Sequence, residues 1–559
     1  MKRGWVRIGI AVACIFALSW FLRVHDLGSY PPGLFPDEAA NGEDSLLILH
    51  GDTRPFYPRN NGREALFFYI EAASLKTFGI GPWQMHLAPA IIGAFSVLAI
   101  YFATSAYFGR LAGLFSSLFL ATSSWHLALS RTSFRAILIP LVLALFTAFV
   151  GFTIRAVKDR KIGASYWYGA LAGLSFASGF YTYIAYRAMP AVVLGVLVLL
   201  LLAALHPKIG FPHVRRYGKQ TVLAILVAVV AMLPLALYFS RHVDEFLGRA
   251  GQVSVFNKDL QREVGGGTLV GTLLYSFDTT VLSFFTHGDT NWRHNVSGYP
   301  LLNPLVGLLF IVGFMWAIRG TWNVFTSMAR GKEIHLGMVY PYLILLLFGM
   351  MLPSITTAEG MPHALRSIGM IVPMYILAGA AAAVASRYLV SWAAKKKLTG
   401  VAYGIIAGLA IVFSAYGPLL YFTISRNSPD AAQAYRGDLT VVSDFIRAHR
   451  QSHPQDAAPY LVLDGFSEMT VHFLTSSLSG NLDMYTRLEP AESDTTLVRP
   501  GEVIMFTQST IPDADRYEKK YHASLTLIES KKNKFGQEVL RVYEGKGNGG
   551  SKEEFDLDA

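Results

Sequence analysis

Cysteine is nearly missing from this chain of 559 residues: Cys14 is the only one, and it lies inside an apolar run. A lone thiol excludes an intrachain disulfide and leaves no basis for a cysteine-ligated metal centre. Charge is scarce as well. Asp, Glu, Lys and Arg supply 15% of the residues against 52% hydrophobic, and the mean hydropathy is +0.38. That balance excludes a soluble protein of this length and fits a polytopic membrane protein, for which the bilayer is the solvent. A glycine-rich loop ending in Lys-Ser or Lys-Thr is also missing, so there is no nucleotide-phosphate loop of that kind. The net charge of +10 and pI near 9.4 do not point to nucleic acid. Lys and Arg sit in short connections between apolar runs rather than on one polar face, which is a topological pattern.

What the chain does have is runs long enough to span. After a basic start (Lys2, Arg3, Arg7) the first covers Ile8 to Leu22 and ends in Trp20-Phe21-Leu22-Arg23, which offers no small-residue cleavage site, so it reads as an uncleaved anchor. Others follow at 84–108, 110–130, 136–154, 164–183, 188–205, 220–240, 301–319, 337–355, 367–387 and 401–424. About eleven helices result. With the N-terminus in the cytoplasm, the basic connections 155–161, 208–219, 330–332 and 395–397 all fall on the cytoplasmic side, as the positive-inside rule asks. The expected localisation is therefore the plasma (inner) membrane. The opposite side receives the loop of Asp37, Ser130 to Arg135, Tyr181 to Arg187, the segment 241–300 and Thr356 to Arg366.

An odd helix count also places the C-terminal portion outside. Near Ser425 the chain changes character: residues 1–425 read as the membrane domain, 426–545 as a small α/β domain and 546–559 as a disordered tail. Within 426–545, helix-like stretches at Leu439 to His449 and Met469 to Leu478 alternate with strand-like ones at Tyr460 to Leu463, Glu502 to Phe506, and near Leu525 and Val539.

The densest group of ionisable residues is Phe35-Pro36-Asp37-Glu38-Ala39-Ala40-Asn41-Gly42-Glu43-Asp44, continuing to Asn60-Asn61-Gly62-Arg63-Glu64. Carboxylates beside a bilayer surface are costly unless solvated, paired or at work. Asp37 is the candidate catalytic base, with Glu38 beside it; first-turn placement at the positive end of a helix would explain the pair without function. Ala39 to Leu49 fits a short interfacial helix with Leu46, Leu47, Ile48 and Leu49 on lipid, and Arg63 to Phe78 fits a second.

Asp37, the Asn60 to Glu64 stretch and Ala121-Thr122-Ser123-Ser124-Trp125-His126-Leu127-Ala128-Leu129-Ser130-Arg131 together resemble the multispan glycosyltransferases that use polyprenyl-phosphate sugars. That group includes the dolichyl-phosphate-mannose protein mannosyltransferases and the aminoarabinose transferases of lipid A. The resemblance covers residues 1–370 or so and implies the GT-C fold and an Asp37 that activates the acceptor. Relatives often carry Arg where this chain has His86 at the start of the second span.

Transfer from a lipid phosphate to a hydroxyl asks for the same parts independently. A carboxylate suits removal of the acceptor proton, and cations suit the departing phosphate. Arg131, Arg135, Arg187, Arg366 and His86 are the candidates for the donor phosphate, although each arginine would also serve as an interfacial anchor. Arg63, Glu64, Asp289, Arg293, His294, Glu359 and His363 are the candidates for substrate contact. His287, Asp289 and His294 carry metal-ligating atoms, but at irregular spacing, so no metal site is assigned. No cofactor is obligatory on this reading, and Asp37 with Glu38 offers oxygen ligands to Mg or Mn.

The function that follows is a single-sugar, inverting transfer on the outer face, from a polyprenyl-phosphate donor to a protein, lipid or polysaccharide acceptor, with membrane lipids as surroundings. A flippase or transporter of lipid-linked sugars would place ionisable residues near the midplane of its spans. Here they gather at one interface. A catalytically inactive sugar-binding assembly protein would share the same sequence features.

Overall fold

The structure, a computed structural model, describes residues 2–59, 62–205, 216–247, 254–332, 335–478 and 484–546. Asn60, Asn61, Arg215 and the tail from 547 onward lie outside the described residues. The chain divides into two compact units, one of Met1–Leu27, Asp52–Glu71 and His86–Asn427, the other of Gly28–Gly51, Ala72–Met85 and Ser428–Ala559.

The first unit is helical. Among the described residues nine helices are long and apolar enough to cross a membrane, and the pair Lys258–Val264 and Leu269–Phe285, bent by 61°, passes together as a tenth. Two of the eleven expected spans do not qualify. The run at 110–130 breaks into Arg110–Ala121 and Ser124–Leu129, because Ser123 turns to cap the second helix, its hydroxyl accepting from the His126 amide at 3.3 Å. The run at 164–183 forms Ile162–Gly179, whose glycine, serine and tyrosine content dilutes its apolar character. Conversely, the segment 241–300, expected as one outer connection, contains the apolar helix Leu269–Phe285.

Large apolar side chains point outward, as Leu201, Val230 and Ile411 do, while small residues bring helices together. Among the described residues the most enclosed span is Ile368–Lys395, buried along its N-terminal half and packed between Arg110–Ala121 and Pro304–Ala329. Its Gly379 is needed at one contact, since a Cβ there would lie 2.0 Å from the Ser116 hydroxyl.

The second unit is built on a five-stranded sheet. With β1 (Phe56–Tyr57) and β2 (Arg63–Glu64) forming a separate hairpin-like pair, the strands here are β3 (Tyr460–Val462), β4 (Thr486–Leu488), β5 (Val503–Thr507), β6 (Leu525–Lys532) and β7 (Glu538–Gly545), in the order β4-β3-β5-β7-β6. β3 runs parallel to β4 and β5, whereas β7 is antiparallel to β5 and β6. Strand alternation assigns the two faces. Leu461, Val503, Met505, Leu540 and Val542 meet Leu439, Val442 and Ile446 of the helix Gly437–Ser452. Val462, Ile504, Phe506 and Tyr543 meet Ala514 and Tyr517 of the helix Ile511–Tyr521.

This unit also holds the helix Pro36–Leu49, which carries Asp37. Leu46 and Leu49 were expected on lipid; instead they join Leu34, Leu75, Met85, Phe473 and Leu474 in a protein core. Polar contacts fix the docking: the Thr470 hydroxyl donates to the Leu34 carbonyl at 3.1 Å, and His472 Nδ1 lies 2.7 Å from Glu43 Oε1. Gly42 sits where a Cβ would come within 2.4 Å of the Phe473 ring. Gly42→Leu should therefore lower stability by about 1–3 kcal/mol through overpacking, whereas Gly28→Ala, with nothing within 4 Å, should not. Thermal unfolding of the two variants in detergent checks the difference, and equal melting would contradict this packing.

Candidate active site

The site in the helical unit grows from a polar break between two apolar helices, Ser130-Arg131-Thr132-Ser133-Phe134-Arg135, every residue of which is buried. Buried polar groups must find partners, and here each finds a different one. Arg131 donates to the carbonyls of Leu22, Arg23 and His25 at 3.2, 2.7 and 2.9 Å, so its guanidinium closes the C-terminal end of the helix Lys2–Val24. The sequence reading gave Arg131 to the donor phosphate; the structure engages it on backbone instead. Ser133 donates to Glu71, a pairing the sequence reading missed. It missed Arg23 too, which reaches Ser19, Ser130, the Ala121 carbonyl at 3.2 Å and His126 Nδ1 at 2.7 Å.

Arg135 and Arg187 converge. Arg135 Nε lies 3.3 Å from Glu64 Oε2, and Arg187 Nη2 lies 3.5 Å from Glu64 Oε1. The Glu64 side chain is only 3% exposed, Arg135 9% and Arg187 26%. Aromatic rings wall the group: Arg135 lies 5.3 Å from the centre of Tyr183 and Arg187 5.7 Å from that of Phe239. The stretch that carries Glu64 is held to the Arg187 side of the unit by a bond from the Leu66 amide to the Tyr181 carbonyl at 3.1 Å. Two guanidinium groups thus meet on one carboxylate, and guanidinium is a group that also grips oxyanions. Arg63, the neighbour of Glu64, is buried beside Phe68.

Next to Arg135 in the chain, Phe134 packs edge-on against His294, with ring centres 5.4 Å apart, and carries the Arg293 guanidinium over its own face at 5.9 Å. His294 belongs to a tight turn written by its asparagine and aspartate residues: the Asn291 amide donates to Asp289 Oδ1 at 2.8 Å and the Arg293 amide to Asn291 Oδ1 at 3.1 Å. Asp289 Oδ2 then accepts from the Ala364 amide at 2.8 Å and lies 3.0 Å from His294 Nδ1. His363 stacks on His294 at 4.8 Å between ring centres. The Trp125 indole donates to the Ala364 carbonyl at 3.2 Å, tying the His363 turn to the polar break.

The remaining expected residues have their own surroundings. Arg366 turns back on its own loop, donating to the Thr357 hydroxyl at 3.1 Å and the Glu359 carbonyl at 2.7 Å, while the Glu359 side chain is 59% exposed. His86 is fully buried in the helix Pro82–Phe108. In the other unit, Asp37 opens the helix Pro36–Leu49 and is partly exposed, whereas Glu38 is buried and accepts from the Phe35 amide at 3.1 Å. Glu38 thus serves its own helix terminus.

Residues 65–239, which contain Arg135 and Arg187, match the family model of the dolichyl-phosphate-mannose-protein mannosyltransferases. In structure the chain is similar to ArnT from Cupriavidus metallidurans bound to undecaprenyl phosphate, with a TM-score of 0.53 at 14% identity over 97% of this chain and 98% of that one. The apo state of that protein gives 0.54 at 15% identity over the same shares. The fold is GT-C. An oligosaccharyltransferase from Archaeoglobus fulgidus tethered with an acceptor peptide shares it, with a TM-score of 0.50 at 10% identity over 97% of this chain and 74% of that one. No curated protein matches the chain in sequence. The GT-C resemblance drawn from the Asp37 and Arg131 motifs is thereby borne out at the level of fold.

The buried triad makes a stability prediction for this GT-C chain. Glu64→Ala removes the buried carboxylate that two guanidinium groups share and should cost about 3–5 kcal/mol, while Glu359→Ala, losing an exposed partner, should cost under about 1 kcal/mol. Unfolding of both variants in one detergent compares them; a Glu64 variant as stable as the Glu359 variant would show that the triad does not bear on stability.

Proposed function

We propose that this protein is a membrane glycosyltransferase that moves one sugar from a polyprenyl-phosphate carrier to an acceptor hydroxyl on the extracytoplasmic face. The observation that carries the reading is the convergence on Glu64 of Arg135 and Arg187, the two arginines lying inside the segment that matches the mannosyltransferase family and Glu64 just before it. The ArnT relative binds undecaprenyl phosphate and the oligosaccharyltransferase relative holds an acceptor peptide; a lipid-linked donor and a protein, lipid or polysaccharide acceptor are the corresponding substrates here.

In the proposed reaction the acceptor oxygen attacks the anomeric carbon. A new carbon–oxygen bond forms as the bond to the phosphate breaks, the phosphate leaves with the electron pair, and Asp37 takes the acceptor proton. A single displacement inverts the anomeric configuration. Arg135 and Arg187 stabilise the charge that develops on the leaving phosphate, so Mg or Mn is not required for that purpose. Glu38, which bonds the Phe35 amide, positions the helix that presents Asp37. Asp289, Arg293, His294 and His363 are proposed to contact substrate, while Glu359 and Arg366 shape the neighbouring loop.

Asp37→Asn keeps the shape of the side chain but removes its basicity. Transfer should fall by about a hundred- to ten-thousand-fold with donor affinity nearly unchanged, and Glu38→Gln should lose less. Turnover and donor affinity of the purified variants, with a polyprenyl-phosphate sugar as donor, decide the matter. Near-normal transfer by Asp37→Asn would remove it as the base, and a larger loss at Glu38 would move the role one residue along.

A further inference from the structure

We infer that Asp289, His294 and His363 form a binding site for a divalent transition ion of the zinc class. Each of the three offers one ligand atom, and these atoms all lie within 4.8 Å of one another. Asp289 and His294 are buried and His363 partly so, which keeps bulk water from competing for most of the shell. In a tetrahedral site with bonds of about 2.0–2.1 Å the donor atoms stand roughly 3.3 Å apart. The 3.0 Å between Asp289 Oδ2 and His294 Nδ1 is close to that spacing already, and the His363 ligand atom lies within 4.8 Å of both.

The donor chemistry selects the ion. Two imidazoles and one carboxylate suit zinc, cobalt or nickel, whereas magnesium and calcium prefer oxygen alone. The surroundings are those of a supported site. Asp289 Oδ1 is held by the Asn291 amide and Oδ2 by the Ala364 amide, so the carboxylate is oriented by backbone. Phe134 bounds His294 on one side and His363 stacks on it. His287, which the sequence places nearer to Asp289, is exposed and takes no part; His363 replaces it from 74 positions further along than Asp289, the difference between the two residue numbers.

Such an ion would clip the turn before the helix Pro304–Ala329 to the turn before Ile371–Lys395. Three protein ligands leave a fourth position for water or an anionic oxygen. The site stands on these three side chains alone and does not depend on the transfer reaction proposed above.

The test uses the full chain, purified in mild detergent with an affinity tag free of histidine, and incubated with zinc before removal of excess metal. Elemental analysis should then find about one equivalent of zinc per chain, falling at least tenfold in His363→Ala and in Asp289→Asn. Cobalt substituted for zinc should show the visible absorption of a tetrahedral site in the unaltered chain. Chelation should lower the melting temperature, and zinc or cobalt but not magnesium should restore it. Should either variant fail to fold, cobalt absorption and chelation of the unaltered chain decide alone. Less than a tenth of an equivalent after zinc incubation, or zinc retained in full by both variants, would reduce the trio to a hydrogen-bonded Asp289–His294 pair beside a stacked ring.

Discussion

One buried carboxylate shared by two guanidinium groups is the constraint around which the helical unit is arranged. An isolated charge removed from water is prohibitively costly, and even a matched pair roughly balances its own desolvation. Glu64 is met by both Arg135 and Arg187, beside the rings of Tyr183 and Phe239. The neighbouring elements hold this group in place. The Leu66 amide fixes the Glu64 stretch to Tyr181, and the polar break at residues 130–135 is held from the other side by Arg131 on the end of the first helix.

The second unit solves a different problem. The helix Pro36–Leu49, which carries the proposed base Asp37, is too short to be stable alone. It is held by Phe473, Leu474, Thr470 and His472 of the C-terminal α/β fold. Glu38 is used in closing the helix start, which leaves Asp37 as the partly exposed carboxylate of the pair.

Hydrophobic length made most of the spans legible, since nothing but a bilayer or a large core accommodates such runs, and strand alternation marked β3, β5, β6 and β7. The strand Thr486–Leu488 was not marked, being too short to show a pattern, and the helix Ile511–Tyr521 was passed over although Ala514 and Tyr517 mark its buried face. At the site, residue type and expected membrane side singled out the stretches of Glu64, Arg135, Arg187, Asp289 and His363 without telling which side chains meet. Arg131 and Arg135 are four positions apart in one polar run, yet one bonds carbonyls of the first helix and the other Glu64. Only the tertiary fold separates them. Likewise, Leu46 and Leu49 look like lipid contacts until Phe473 arrives from the far end of the chain.

The central claim is that the Arg135–Arg187 pair holds a lipid phosphate, and binding of the carrier tests it without any assay of transfer. Native mass spectrometry of the detergent-purified chain with a polyprenyl phosphate, beside the matching polyprenol, measures the phosphate's own contribution. The account predicts that the phosphate form binds at least tenfold more tightly than the alcohol and that this preference disappears when Arg135 and Arg187 are both replaced by Gln. Equal binding of the two lipids, or a preference unchanged in the double variant, would contradict it.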